Sequence, residues 1–156
     1  MFKRTVLDNC MQMWVNAKDN SAPLLLYRSF KEVLTYESYL NTLNFDLRHY
    51  ITKLRIASHP LRIQSGRFHQ NHVPREQRTC IVCNSSDIED EYHFILICPV
   101  FSDLRSIYIH KYFYKRPSMI KFIELMQKTK FKTLKNLALF IKFALEKRRV
   151  TLLHPG

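Results

Sequence analysis

Two glycines in 156 residues leave no material for a glycine-rich phosphate cradle, which needs several positions where backbone meets ligand without a Cβ. The same scarcity, with six prolines, argues against a turn-rich β-sandwich and for helices joined by short connections. Acidic residues are few, 13 against 25 lysines and arginines, for a net charge of +12. No apolar run approaches the roughly 18 residues a membrane span requires, so no membrane partner is expected. Lys3 and Arg4 come early, but no unbroken apolar core follows them before Asn20. The expected setting is therefore intracellular, nuclear or cytoplasmic, and not secreted. In such a reducing compartment, cysteines favour metal over disulfide. Nucleophile triads and paired catalytic carboxylates are also missing, and no enzyme activity is expected.

What remains is apolar enough to fold. Hydrophobic residues make up 46% and aromatics 13% of the chain, which excludes disorder over its whole length. The length fits one domain or a compact pair of subdomains. The fold class read from the pattern is mainly α, with helical segments flanking one small Cys3His zinc knuckle. Residues 1–58 carry helical stripes: Val6, Cys10, Met13 and Trp14; a short segment from Leu24 to Phe30; then Leu43, Leu47, Tyr50, Ile51 and Leu54. Cys10, on the first stripe, is expected in the core. Residues 59–100 read as a loop-rich module, with a break at His59-Pro60 and a turn at Gly66. Asn71 to Pro74 is expected to be extended and Asp90 to Ile97 to be a short helix. Residues 101–156 are again helical and strongly basic. There Leu134, Leu137, Ile141 and Leu145 form the clearest apolar stripe, opposite Lys132, Lys135, Lys142 and Lys147.

Three of the four cysteines and one histidine fall in the pattern C-x2-C-x9-H-x4-C, as Cys80, Cys83, His93 and Cys98. A Cys3His set satisfies the tetrahedral preference of zinc with no open position, so the expected cofactor is one structural Zn2+. Two cysteines two residues apart can bind from a single turn, and the later pair closes the cage. The alternatives are buried thiols beside an unrelated histidine, or a redox C-x-x-C, which lacks the surrounding βαβ pattern. An ideal helix would separate His93 and Cys98 by about 140°, so Cys98 is expected just beyond the helix end, where Pro99 supports a break. His69 and His72 are spaced to share a metal, but no carboxylate or cysteine adjoins them. They read as surface histidines, with substitution into the zinc site as the alternative.

Charge is segregated along the chain. Residues 80–100 contain no lysine or arginine and four acids, whereas residues 101–156 contain thirteen basic and three acidic side chains. Basic surface on this scale attracts polyanions, and RNA or DNA is the expected partner. The cage, with three thiolates and Asp87, Glu89, Asp90 and Glu91 close in sequence, is a poor phosphate contact. The expected contacts are its flanks: Arg62, Arg67, Arg75 and Arg78 before it, and Arg105, Lys111, Lys115 and Arg116 after it. Aromatics alternate with basic residues from Tyr108 to Arg116; half of them on a helix would be core in any case, and any left exposed could stack on single-stranded bases.

Beside these readings stands a resemblance. The run from Leu54 to Gly66 and Arg67, with Arg78-Thr79-Cys80-Ile81-Val82-Cys83, Ile88-Glu89-Asp90-Glu91-Tyr92-His93-Phe94 and Cys98-Pro99, resembles the C-terminal zinc-binding tail of non-LTR retrotransposon (LINE-type) reverse transcriptases. Leu26 to Lys31, Glu37 to Leu40 and Arg116 to Leu125 are similar to the same group, so the likeness runs from about Leu24 onward. It implies that Cys80, Cys83, His93 and Cys98 are the ligands, and that residues 1–58 correspond to the helical region before the tail. The gap of nine between Cys83 and His93 is one or two longer than the family pattern, which a loop at Asn84 to Asp87 absorbs at little entropic cost. The polymerase's paired aspartates and any endonuclease signature are missing. The resemblance thus implies a nucleic-acid-binding fragment with no catalytic site of its own. The competing readings are a zinc-stabilised module that docks a partner protein, and a truncated RNA-directed DNA polymerase.

Overall fold

The structure, a computed structural model, describes residues 2–68 and 72–154. Helix α1 (Phe2–Asn20) passes through a 3-10 turn at Ala22–Leu24 into α2 (Leu25–Phe30). Pro23 sits in the first turn of that short element, where its missing N–H is no loss. After a single turn, α3 (Tyr39–Thr42), comes α4 (Phe45–Arg55). The Asn44 side chain caps α4 by accepting from the Leu47 amide at 3.0 Å. At its other end the Ser58 amide donates to the Lys53 carbonyl at 2.8 Å and Ala57 takes φ 59°. This is the left-handed helix stop, closed here by alanine rather than glycine. The helix is therefore over before His59-Pro60.

The middle of the chain is irregular, as its composition predicts: α5 (Arg62–Ser65), a 3-10 turn at Arg75–Gln77, a π-helical turn at His93–Ile97 and a 3-10 turn at Pro99–Phe101. Val73 and the residues on either side of it have no regular structure; Asn71 and His69 lie outside the described residues. No strand occurs among the described residues, although Thr79 and Ile88 form an isolated antiparallel bridge. Helices α6 (Ser102–Tyr108), α7 (Lys111–Tyr114), α8 (Met119–Met126) and α9 (Phe131–Leu153) complete the chain. Ser118 caps α8 by accepting from the Lys121 amide, directly after Pro117.

Helix α9 is the axis of the molecule, with α4 and α6 packed along it. Leu134, Leu137, Ala138, Phe140, Ile141 and Ala144 are all buried on its inner face, and the one core they enter draws on all three stretches of the chain. Ile51 and Leu54 enter from α4, Phe94 to Leu96 from the π turn, and Phe122 and Leu125 from α8.

The expected burial of Cys10 is corrected by the fold. It is exposed, as are Val6, Leu7, Met11 and Met13. Helix α1 packs mainly on α2 and the adjoining 3-10 turn, where Trp14 meets Tyr27 edge-on at 6.5 Å. One contact line cannot bury a whole apolar stripe. Arg148 is buried, and Lys147 reaches both carboxylate oxygens of Asp103 at 2.9 Å.

Candidate metal centre

Cys80 and Cys83 come from one tight turn, held at its base by a hairpin-like closure. The Cys80 amide donates to the Asp87 carbonyl at 2.9 Å, and the Glu89 amide to the Arg78 carbonyl at 2.9 Å. Asn84 makes the reversal, with φ 54°, a left-handed conformation that asparagine tolerates better than most side chains. Within the turn the amides of Cys83 and Val82 hydrogen-bond the Cys80 sulfur, and the Val100 amide bonds that of Cys98. Such donors favour thiolates.

His93 and Cys98 bracket the π turn. The Cys98 amide donates to the His93 carbonyl five residues back, at 2.7 Å. One widened turn therefore spans the pair and brings Cys98 back towards the side of the axis that an α-helix would have turned away. Between His93 and Cys98, the side chains of Phe94, Ile95 and Leu96 are at most 2% exposed. Phe94 packs on Phe101 at 5.1 Å and on Phe140 of α9 at 5.9 Å. Half of the donor set is thus bolted to the core. The Asp90 carboxylate accepts from the His93 amide at 2.9 Å and fixes the start of the turn.

The result is a cluster in which one donor atom from each of Cys80, Cys83, His93 and Cys98 lies within 4.8 Å of every other. The Cys83 sulfur is already 3.4 Å from His93 Nε2. Metal–sulfur bonds near 2.3 Å in a tetrahedron need donors just under ~4 Å apart, so small side-chain movements suffice. His93, Cys80 and Cys98 are buried and Cys83 is half-buried. The other ring nitrogen of His93 has no hydrogen bond among the described residues and stands 3.7 Å from an Asp87 oxygen. That is the side on which a carboxylate orients a ligating histidine. The Cys80 thiol is shifted down, chiefly by its hydrogen bond with Cys98 and against the effect of burial, while the Cys98 thiol is shifted up as the donor of that bond. Two sulfurs this close, with Cys80 favoured as the thiolate, make a place suited to a cation. The residues therefore fit a metal ion.

The flanking arginines divide. Arg78 and Arg105, expected at a nucleic-acid surface, are buried, and this corrects that expectation for both. Arg105 donates to the carbonyls of Ile95 and Cys98, each at 2.7 Å, so its guanidinium ties down the π turn. Arg78 donates to the carbonyls of Ile63 at 2.8 Å and Val73 at 2.9 Å. Its stem crosses Gly66 so closely that an added Cβ would lie 2.9 Å from it and from the Arg62 carbonyl. Arg62 is half-buried; Arg67, also half-buried, binds the carbonyls of Ile63 and Ala22. Arg75, Lys111, Lys115 and Arg116 are exposed, Arg75 at 4.0 Å from Asp90. His72 is exposed, 3.4 Å from the Arg78 guanidinium and outside the donor cluster.

The acids beside the cage are not all free either. Glu89 is 1% exposed, clasped by Arg148 of α9 at 2.7 and 2.9 Å and by the Arg62 amide at 2.9 Å. Glu91 is buried against His59 at 2.7 Å. Burial opposes its charge, yet the bond to His59 and the attraction of its ring outweigh that, and its pKa is lowered. These partners lie 59 and 32 residues away in sequence, and no local spacing announces them. No helix among the described residues is long and apolar enough to cross a membrane. No family model matches the chain, and comparison with curated proteins and with solved structures gave no match.

Proposed function

We propose that the chain is a zinc-stabilised nucleic-acid-binding module without a catalytic site of its own, akin to the C-terminal tail of non-LTR retrotransposon reverse transcriptases. The observation that carries this reading is the convergence of Cys80, Cys83, His93 and Cys98, the residues that the resemblance names as ligands. With four protein donors the site has no vacant position for a reacting water, which favours a structural role over catalysis. Zinc held there would act as a cross-link, joining the C-x-x-C turn to the core-anchored π turn. Structural zinc contributes on the order of 10–16 kcal/mol in finger peptides, ample for a segment with little regular structure. Nucleic acid is the favoured partner because exposed cations such as Lys111, Lys115 and Arg116 lie in a segment with ten more basic than acidic residues.

The reading predicts a steep salt dependence. Between about 50 and 200 mM salt, affinity for RNA or DNA should fall by at least about tenfold, measured by fluorescence anisotropy. A flat response, or no binding at low salt, contradicts it. The partner-protein reading gains from the exposed apolar side chains of α1, Val6, Leu7, Met11 and Met13. It gains nothing from residues 94–98, where Phe94, Ile95, Leu96 and Cys98 are turned into the core.

A further inference from the structure

The basic charge of the C-terminal stretch is not spread evenly over its surface. An open cleft of about 930 Å³ runs between α7, with the chain leading into it, and the junction of α8 with α9. No cage ligand lines it. Four lysines do: Lys111, Lys128, Lys130 and Lys132. The acid in the lining, Glu124, is occupied by the Lys128 ammonium at 2.7 Å and the Tyr112 hydroxyl at 3.0 Å. Lys111, Lys130 and Lys132 are exposed and have no ion-pair partner among the described residues. Lys115 and Arg116, also exposed, continue the basic rim beyond α7.

The cleft contains rings as well as cations. Tyr112 is 48% exposed, and its ring is braced by the Lys121 ammonium 4.7 Å from its centroid. Tyr108 is fixed by stacking on Phe143 at 5.8 Å. An exposed ring held among unpaired lysines offers both halves of what an unpaired strand presents, phosphates and base faces. Recognition of a duplex groove requires an element that projects into it, and a concave surface does not supply one.

We infer that this cleft is where the protein takes single-stranded nucleic acid, with phosphates on Lys111, Lys130 and Lys132 and a base against Tyr112. The inference rests on the nucleic-acid reading above and moves the contact away from Arg62, Arg67 and Arg75. The test uses the full zinc-loaded chain and fluorescence anisotropy across a salt series. The probes are an unstructured single strand, as DNA and as RNA, and a duplex of the same sequence. Single strands should bind more tightly than the duplex. Lys130→Ala with Lys132→Ala should weaken single-strand binding and reduce the log–log salt slope by about 1.4, two contacts at roughly 0.7 each. Tyr112→Ala should lose about tenfold, and Tyr112→Phe, which keeps the ring, should stay near wild type. Circular dichroism and zinc content verify that each variant is folded. If the cleft variants bind as wild type does while Arg62→Ala with Arg75→Ala loses binding, the cleft is wrong and the nucleic-acid reading stands. Duplex binding as tight as single-strand binding overturns the unpaired-strand assignment. Absence of binding to every probe at about 50 mM salt overturns the reading and the inference together.

Discussion

Gly66 shows how a single side chain constrains the module around the cage. Its φ is −66°, so conformational freedom is not what the position requires; space is. A Cβ there would meet the Arg62 carbonyl and the Arg78 stem, each at 2.9 Å, and the carbonyl cannot yield without moving α5. Gly66→Ala should therefore destabilise the protein by roughly 1–3 kcal/mol, seen as a lower urea midpoint with the m-value unchanged. An unchanged midpoint would mean that α5 and the Arg78 stem both shift at no cost. The clustering of Cys80, Cys83, His93 and Cys98 was legible in the sequence, because a cage in a small module would draw its donors from short, regular spacings. The arginines were not. Arg78 and Arg105 look like any surface base in sequence, and only the carbonyls of Ile63, Val73, Ile95 and Cys98 turn them inward.

At the scale of elements, the helical pattern was readable and its surroundings were not. The stripe of α9 marks a core helix correctly, since Leu134, Leu137 and Ile141 are buried. A similar stripe on α1 is mostly exposed, because periodicity records amphipathicity and not what covers it. The difference predicts unequal local stability. Amides of α1 should exchange with solvent far faster than those of α4 and α9 in native-state hydrogen exchange. Equal protection in α1 and α9 would show that a partner or a second copy covers the first helix. The π turn was likewise out of reach of sequence patterning. A break at Cys98 follows from Pro99, but the widened i→i+5 closure at 2.7 Å, with Phe94 and Leu96 turned into the core between His93 and Cys98, is a tertiary outcome that no local pattern records.

At the scale of the whole molecule, the cage module is fastened to the helical core by a buried ion pair, Glu89 with Arg148. Among the described residues, Arg148→Met leaves the buried Glu89 carboxylate with only the Arg62 amide as partner, which should cost about 3–5 kcal/mol. Adding Glu89→Leu should recover part of that loss, because removing both charges removes the desolvation penalty. Urea denaturation of the two variants gives the comparison, and a double mutant no better than the single would locate the damage in packing instead. We propose that Cys80, Cys83, His93 and Cys98 hold one structural zinc ion. The most direct test is the metal content of purified wild-type protein and of the Cys80→Ser and Cys83→Ser variants, by atomic absorption. One zinc per wild-type chain, with loss of metal and of folded signal in both variants, is the predicted result. Full stoichiometry in the variants, or a stably folded wild-type protein without metal, would contradict it.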